Sequence, residues 1–174
     1  AEMDSGTMAE ALDVDLIGPL RLARAAYPYM RESGYGRVIN IGAIQARSPL
    51  TNAAAYAAAK SGLEGLTRTL ATEWSTREGD VTANLLHVSA TPTGDIDDAE
   101  GPLEVAVDRA SAAGDTGDYA SMVRRRARPG DHAAFVAFLA SPDSSFVTGQ
   151  VMVSDGGRLV SRYGRSGYGH EGEQ

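Results

Sequence analysis

The stretch NAAAYAAAK, residues 52–60, sets one phenol and one amine into a background of alanine, with Tyr56 and Lys60 four positions apart. On a helix, positions i and i+4 share a face, so the two side chains can point into one cleft. A phenol ionises near pH 10 in water, and a neighbouring ammonium favours the phenolate and lowers that value. Such a pair is suited to general acid–base proton transfer. The plainer alternative is a packed tyrosine beside a surface lysine. The sixteen basic residues are fifteen arginines and a single lysine, Lys60; an arginine bias of this kind follows nucleotide composition, and it is the lysine's position one helical turn after Tyr56 that argues against chance.

A pair of this kind needs a rigid frame, and the chain supplies alternating helical and strand patterns. Residues 8–32 carry Leu12, Leu16, Leu20, Ala23 and Tyr27 at helical spacing, which predicts a long amphipathic helix with Ser5 or Thr7 as its cap. RVINIGA, residues 37–43, is a β-branched run suited to a buried parallel strand. After a loop with Ser48-Pro49, Asn52 is expected to cap a second long helix reaching about Trp74. Gly79-Asp80 turns the chain into VTANLLHV, a second buried strand. Residues 89–118 are acidic and loop-rich, with a short helix expected around 103–112. Arg128-Pro129-Gly130-Asp131 opens a third helix, and GQVMVSDGG forms a third strand ending in a glycine turn. The expectation is an α/β domain over residues 1–158, a partial Rossmann-like parallel sheet of about three strands with long packing helices, and a flexible tail over 159–174. A sheet of three parallel strands leaves an edge open to pairing, so something should close that edge.

Composition excludes several classes of function. The 174 residues fit one domain, 43% hydrophobic and 22% charged, as in ordinary globular proteins. There is no cysteine, which removes disulfides, thiolate chemistry and Cys-based zinc sites. No apolar run approaches the roughly 20 residues of a membrane span, and the amino terminus lacks the layout of a signal peptide, so a cytoplasmic protein is expected. A net charge of −7 opposes nucleic acid and anionic membrane as partners. The basic run RRRAR at 124–128 reads as a solvated helix end. His87, His132 and His170 show no metal-ligand spacing; a buried His87 at a strand end and two exposed histidines are expected, and no metal site. Gly167, Gly169 and Gly172 form a G-x-G-x-x-G with no strand before it and no helix after it, so it fails the context of a dinucleotide fingerprint.

GRVINIGA at 36–43, YAAAKSGLEGLTRTLATEW at 56–74 and RPGDHAAFVAFLASPDSSFVTGQVMVSDGG at 128–157, in that order, resemble the carboxy-terminal two thirds of short-chain dehydrogenase/reductases, especially the 3-oxoacyl-carrier-protein-reductase type. The resemblance covers about residues 8–158. It implies that Tyr56 is the catalytic tyrosine and Lys60 its lysine, both also contacting the cofactor. It implies a serine thirteen residues before the tyrosine to hold the substrate oxygen, and that position is Ala43. Losing one such donor costs on the order of a hundredfold to a thousandfold in other enzymes. The family's asparagine, whose carbonyl serves a water relay, corresponds to Asp15, where Pro19 four residues on has no N–H to donate. A threonine touching the nicotinamide corresponds to Thr91, although NLLHVSATPTGD lacks the Pro-Gly usual there. The family's glycine-rich strand and turn do not precede Met8. No cofactor is therefore expected on this chain alone, and NAD(P)H only where a partner or a further amino-terminal segment completes the site.

Three functions follow from the resemblance. The first is a pseudoenzyme, a non-catalytic partner subunit in a homo- or hetero-oligomer with a full-length member of the family, since the helices kept are those that build the family's dimer interface. The second is a piece of an NAD(P)H-dependent ketoreductase. The third is a cofactor-free isomerase or dehydratase using Tyr56 and Lys60 as an acid–base pair.

Overall fold

The computed structural model describes residues 4–74, 79–91, 122–123 and 127–160. Helix α1, Ser5–Leu12, continues through a π-helical turn, Asp13–Ile17, into α2, Gly18–Ser33. The cap is Asp4 rather than Ser5 or Thr7: its carboxylate accepts from the N–H of Gly6 at 2.9 Å and of Thr7 at 3.0 Å. An acidic group at the helix start also suits the helix dipole. The π turn has a local cause. Pro19 has no N–H to close the usual bond onto Asp15, and the Gly18 N–H reaches back to the Asp13 carbonyl, five residues away.

Strands β1, Tyr35–Ala43, β2, Asp80–Val88, and β3, Val151–Ser154, form one parallel sheet in the order β1-β2-β3. The expected three-stranded α/β architecture is present. β2 lies between the other two, and Val81 through His87 are all buried, the uninterrupted burial of a strand covered on both faces. The register sets Gly42 beside His87 and Ala43 beside Val88. Among the described residues, no strand pairs with the far side of β1.

Helix α3, Ala54–Trp74, crosses the sheet with Ala55, Ala59, Leu63, Thr67, Leu70 and Ala71 facing inward. Asn52 does not cap it. Its φ of 60° puts it in the left-handed region, which asparagine tolerates better than most residues, and the helix starts two residues later with the Ala57 N–H bonded to the Ala53 carbonyl at 2.8 Å. The amide of Asn40 donates to the Thr67 hydroxyl at 2.9 Å, so this buried polar pair on β1 and α3 satisfies itself. Ala23 of α2, Leu70 and Ala71 of α3 and Ala83 of β2 share one apolar cluster, and the Tyr27 and Trp74 rings stack at 4.3 Å on its border.

Helix α4, Pro129–Ala140, begins where predicted, with the Asp131 carboxylate accepting the Arg128 N–H at 2.7 Å. Arg128, the last residue of the basic run, stands at the start of this helix as its N-cap; residues 124–126 lie outside the described residues. So do most of the acidic excursion, with the helix expected around 103–112, and residues 161–174, which include His170 and the G-x-G-x-x-G. Of the expected tail, only Leu159 and Val160 are described, and they sit in a helical turn. No described helix is long and apolar enough to cross a membrane.

Leu85 on β2 is fully buried while Leu22 on α2 is 74% exposed. Urea unfolding of the isolated chain should show Leu85→Ala losing about 2–5 kcal/mol through lost burial and a residual cavity, and Leu22→Ala changing stability by no more than about 0.5 kcal/mol.

Candidate active site

Tyr56, Lys60 and Glu64 follow one another at single-turn intervals along α3. Lys60 meets the π turn and β1. The Lys60 ammonium lies 3.1 Å from Asp15 Oδ1, donates to the Ile41 carbonyl at 3.3 Å and stands 5.5 Å from the centroid of the Tyr56 ring. Three elements thus converge on one amine. Gly62 of α3 faces the same turn: a Cβ there would come within 2.9 Å of Leu16 Cδ2, so the Leu16 side chain would have to shift.

The electrostatics differ from the expectation. Tyr56 is 36% exposed, and its phenol is raised above the ordinary tyrosine value, first by burial and then by the Asp15 carboxylate. A lysine-lowered phenol was the chemical rationale for the pair. In the structure the ammonium is engaged by Asp15 and lies against the ring, while the carboxylate's charge opposes phenolate.

Ala43 ends β1 and is 5% exposed, so no hydroxyl is presented at that point of the strand. Thr91 lies beyond the end of β2, where its hydroxyl bonds to the Ser89 carbonyl at 2.9 Å and to His132 Nε2 at 2.8 Å. His132 is half-buried rather than exposed as expected, with Nδ1 2.9 Å from the Ser154 hydroxyl. Burial lowers the pKa of its imidazole, with Asp131 acting in the opposite sense. His132 and Ser154 line a cavity of about 180 Å³, and none of Tyr56, Lys60 and Asp15 borders it. The structure therefore joins Tyr56, Lys60 and Asp15 in one cluster and puts Thr91 in another.

Three separate comparisons agree on the kind of protein this is. A family model described as "Enoyl-(Acyl carrier protein) reductase" matches residues 1–158. The chain is 40% identical over 157 residues to "(2S)-[(R)-hydroxy(phenyl)methyl]succinyl-CoA dehydrogenase subunit BbsC" of Thauera aromatica, covering 90% of this chain and 57% of that one. It is 34% identical over 151 residues to "3-oxoacyl-[acyl-carrier-protein] reductase FabG" of Rickettsia bellii, covering 87% of this chain and 58% of that protein. A solved structure of the TT0495 protein from Thermus thermophilus superposes with a TM-score of 0.71 at 31% identity, over 91% of this chain and 62% of that one. The chain belongs to the short-chain dehydrogenase/reductase family. It spans a little over half the length of these curated relatives.

The short-chain dehydrogenase/reductase fold implies a dinucleotide, and the donors near its expected place already have partners. Lys60 is engaged by Asp15 and Ile41, and the Thr91 hydroxyl by Ser89 and His132. Among the described residues, no glycine-rich turn joins a strand to a helix start. The described residues do not by themselves make a cradle for NAD(P)H. Nor do they group three or more metal-ligating side chains.

One residue at this short-chain dehydrogenase/reductase site, Glu64, had no part in the sequence reading, nor did its contact with His87. Glu64 accepts from Arg47 at 3.2 Å and Arg68 at 3.1 Å, and meets Nε2 of His87 at 3.0 Å. His87 is fully buried at the end of β2, as expected, and its Nδ1 has no partner among the described residues. The ring lies over Gly42, where any Cβ would collide with it. The available signal was the spacing: Glu64 continues the Tyr56–Lys60 face by one turn and stands four residues before Arg68.

Burial acts to raise the pKa of Glu64, but hydrogen bonds to His87, Arg47 and Arg68 outweigh it, and the carboxyl is held below its ordinary value of 4.5. A depressed carboxyl stabilises the fold above its unfolded pKa, and that stability is lost as pH falls through the folded one. Below about pH 4.5, wild type should lose melting temperature more steeply than Glu64→Gln; thermal unfolding followed from pH 7 to 3 gives the two slopes.

Proposed function

We propose that this chain serves as a partner subunit in a ketoreductase-type short-chain dehydrogenase/reductase assembly, contributing packing surface rather than turnover at its own Tyr56. The observation that carries this reading is the state of the dyad: Ala43 brings no hydroxyl to the strand end, and Lys60 is bound by Asp15 instead of supporting phenolate. Exposed apolar side chains support an assembly role. Leu22 and Tyr29 of α2 are each 74% exposed and Val14 of the π turn 65%, a combination that suits burial against another subunit. The relative from Thauera aromatica is, by its name, a subunit of a dehydrogenase. The cysteine-free sequence suits a cytoplasmic setting. NAD(P)H would then be held by the full-length partner.

A second reading has its own support: the chain is a piece of a longer NAD(P)H-dependent ketoreductase. It covers a little over half of its relatives, and both Tyr56 and Lys60 are kept. The cofactor-free acid–base reading gains nothing from a phenol shifted upward.

Co-expression with full-length family members from the same host, followed by native mass measurement, decides the first reading. A defined hetero-oligomer is expected, in which Tyr56→Phe leaves ketone reduction unchanged. A stable monomer that captures no family member would end the partner reading. Loss of turnover in the Tyr56→Phe assembly would favour the second, and there Ala43→Ser should raise kcat by about tenfold or more.

A further inference from the structure

The Lys60 ammonium has three N–H groups, and two of its neighbours are fixed: the Asp15 carboxylate at 3.1 Å and the Ile41 carbonyl at 3.3 Å. Both acceptors lie on other elements, one in the π turn and one on β1, so moving the amine means breaking contacts to both. Its remaining approach to Tyr56 is over the ring, 5.5 Å from the centroid, within the range of a cation–π contact. The side chains of Lys60 and Asp15 are only 15% and 25% exposed, so water screens their attraction incompletely. The π turn makes the reach possible. It arises where Pro19 cannot donate, and Leu16 of the same turn packs over Gly62 of α3.

We propose that Asp15 is a positioning residue that latches Lys60 in a resting arrangement, tied to the π turn and β1 and withheld from the Tyr56 phenol oxygen. The inference rests on the reading above that the dyad is not used as it stands, and adds to the missing hydroxyl at Ala43 a cause that is reversible. Around the phenol, the described charged groups are Asp15 from the π turn and Lys60 on α3 itself; β1 brings only the Ile41 carbonyl. Glu64, two turns beyond Tyr56 on α3, is taken up by Arg47, Arg68 and His87. With the carboxylate removed, Lys60 keeps one acceptor, and the unsatisfied side of its ammonium is drawn to a developing phenolate, the strongest acceptor within its reach.

The test is the ultraviolet titration of Tyr56 in the isolated full chain, each variant read as the difference from its own Tyr56→Phe counterpart. Asp15→Asn should ionise Tyr56 at lower pH than wild type, with the ionised fraction at pH 10 severalfold higher. Asp15→Glu should restore the wild-type curve, and Asp15→Asn with Lys60→Met should lose the gain. Coincident curves for wild type and Asp15→Asn would overturn the proposal. So would a double variant ionising as readily as Asp15→Asn, because the carboxylate would then act by its own charge and not through the amine. Asp15→Ser provides the same comparison if near-ultraviolet circular dichroism shows Asp15→Asn misfolded. Since the titration needs neither partner nor substrate, its outcome is independent of whether the assembly forms.

Discussion

Small side chains on the inner face of α3 set the distance between that helix and the sheet, and the chemistry of the molecule depends on that distance. Ala55 and Ala59 are buried to 4% and 0% exposure, so the helix backbone lies close over β1 and β2. Gly62 does the same against the π turn, where Leu16 occupies the space a side chain would need. Alanine buries little apolar area, so it contributes little of the hydrophobic stabilisation, which scales with area at roughly 25 cal/mol per Å². Leu63, Leu70, Leu85, Leu86 and Leu139, all nearly or fully buried, carry that load. The alanines fix the geometry and the leucines hold it.

Close packing makes charge placement decisive. A carboxylate near a partly exposed phenol and a largely buried ammonium must favour one of them, and geometry gives Asp15 to Lys60. One turn along, Glu64 faces a different set of neighbours, with two guanidinium groups and an imidazole converging on it. There the carboxylate gains from its surroundings, and it ties α3 to β2 through His87 and to the turn after β1 through Arg47. The two acidic residues thus have opposite consequences for one helix face: Glu64 anchors the scaffold, while Asp15 holds in reserve the amine that the scaffold presents.

The fold was largely legible because each element has its own period or boundary residues. The apolar run VTANLLHV reads as a covered strand and is one, and the Pro129–Asp131 signal marks a helix start that the structure keeps. Asn52 misled because an asparagine before a helix can cap it or turn the chain into it, and only the backbone angle separates the two. Pro19 was visible, and so was its missing hydrogen bond. The π turn it helps to create was not, since widening the helix depends on where the Gly18 N–H finds an acceptor. At the site, Tyr56, Lys60, Asp15 and Ala43 could all be located by spacing and resemblance, yet the sign of the electrostatic effect on Tyr56 could not. Position i+4 brings an amine near a phenol, but a side chain with four rotatable carbons goes to the best acceptor on any neighbouring element, and here that is Asp15. The Glu64–His87 contact was equally hidden, because 23 residues separate the two and the packing of α3 on β2 brings them together.

The sheet carries a further constraint on any account of function. β2 is paired on both sides, but β3 contributes only Val151–Ser154, and along the nine residues of β1 no described strand pairs with its far side. On the same part of the molecule Ile41 is 45% exposed and Tyr35 40%, and on α4 Phe135 and Phe138 are 39% and 43% exposed. Parallel strands with apolar side chains are stable when their edges are paired and both faces are covered, because the unpaired N–H and C=O groups of an edge otherwise invite association. Either further strands of a longer polypeptide or another subunit can meet that need, and both would add surface next to Ile41, whose carbonyl also holds Lys60. The edge that asks for covering and the amine held in reserve are thus linked through one backbone carbonyl, so whatever completes the sheet also bears on the contacts that hold Lys60 to Asp15 and Ile41.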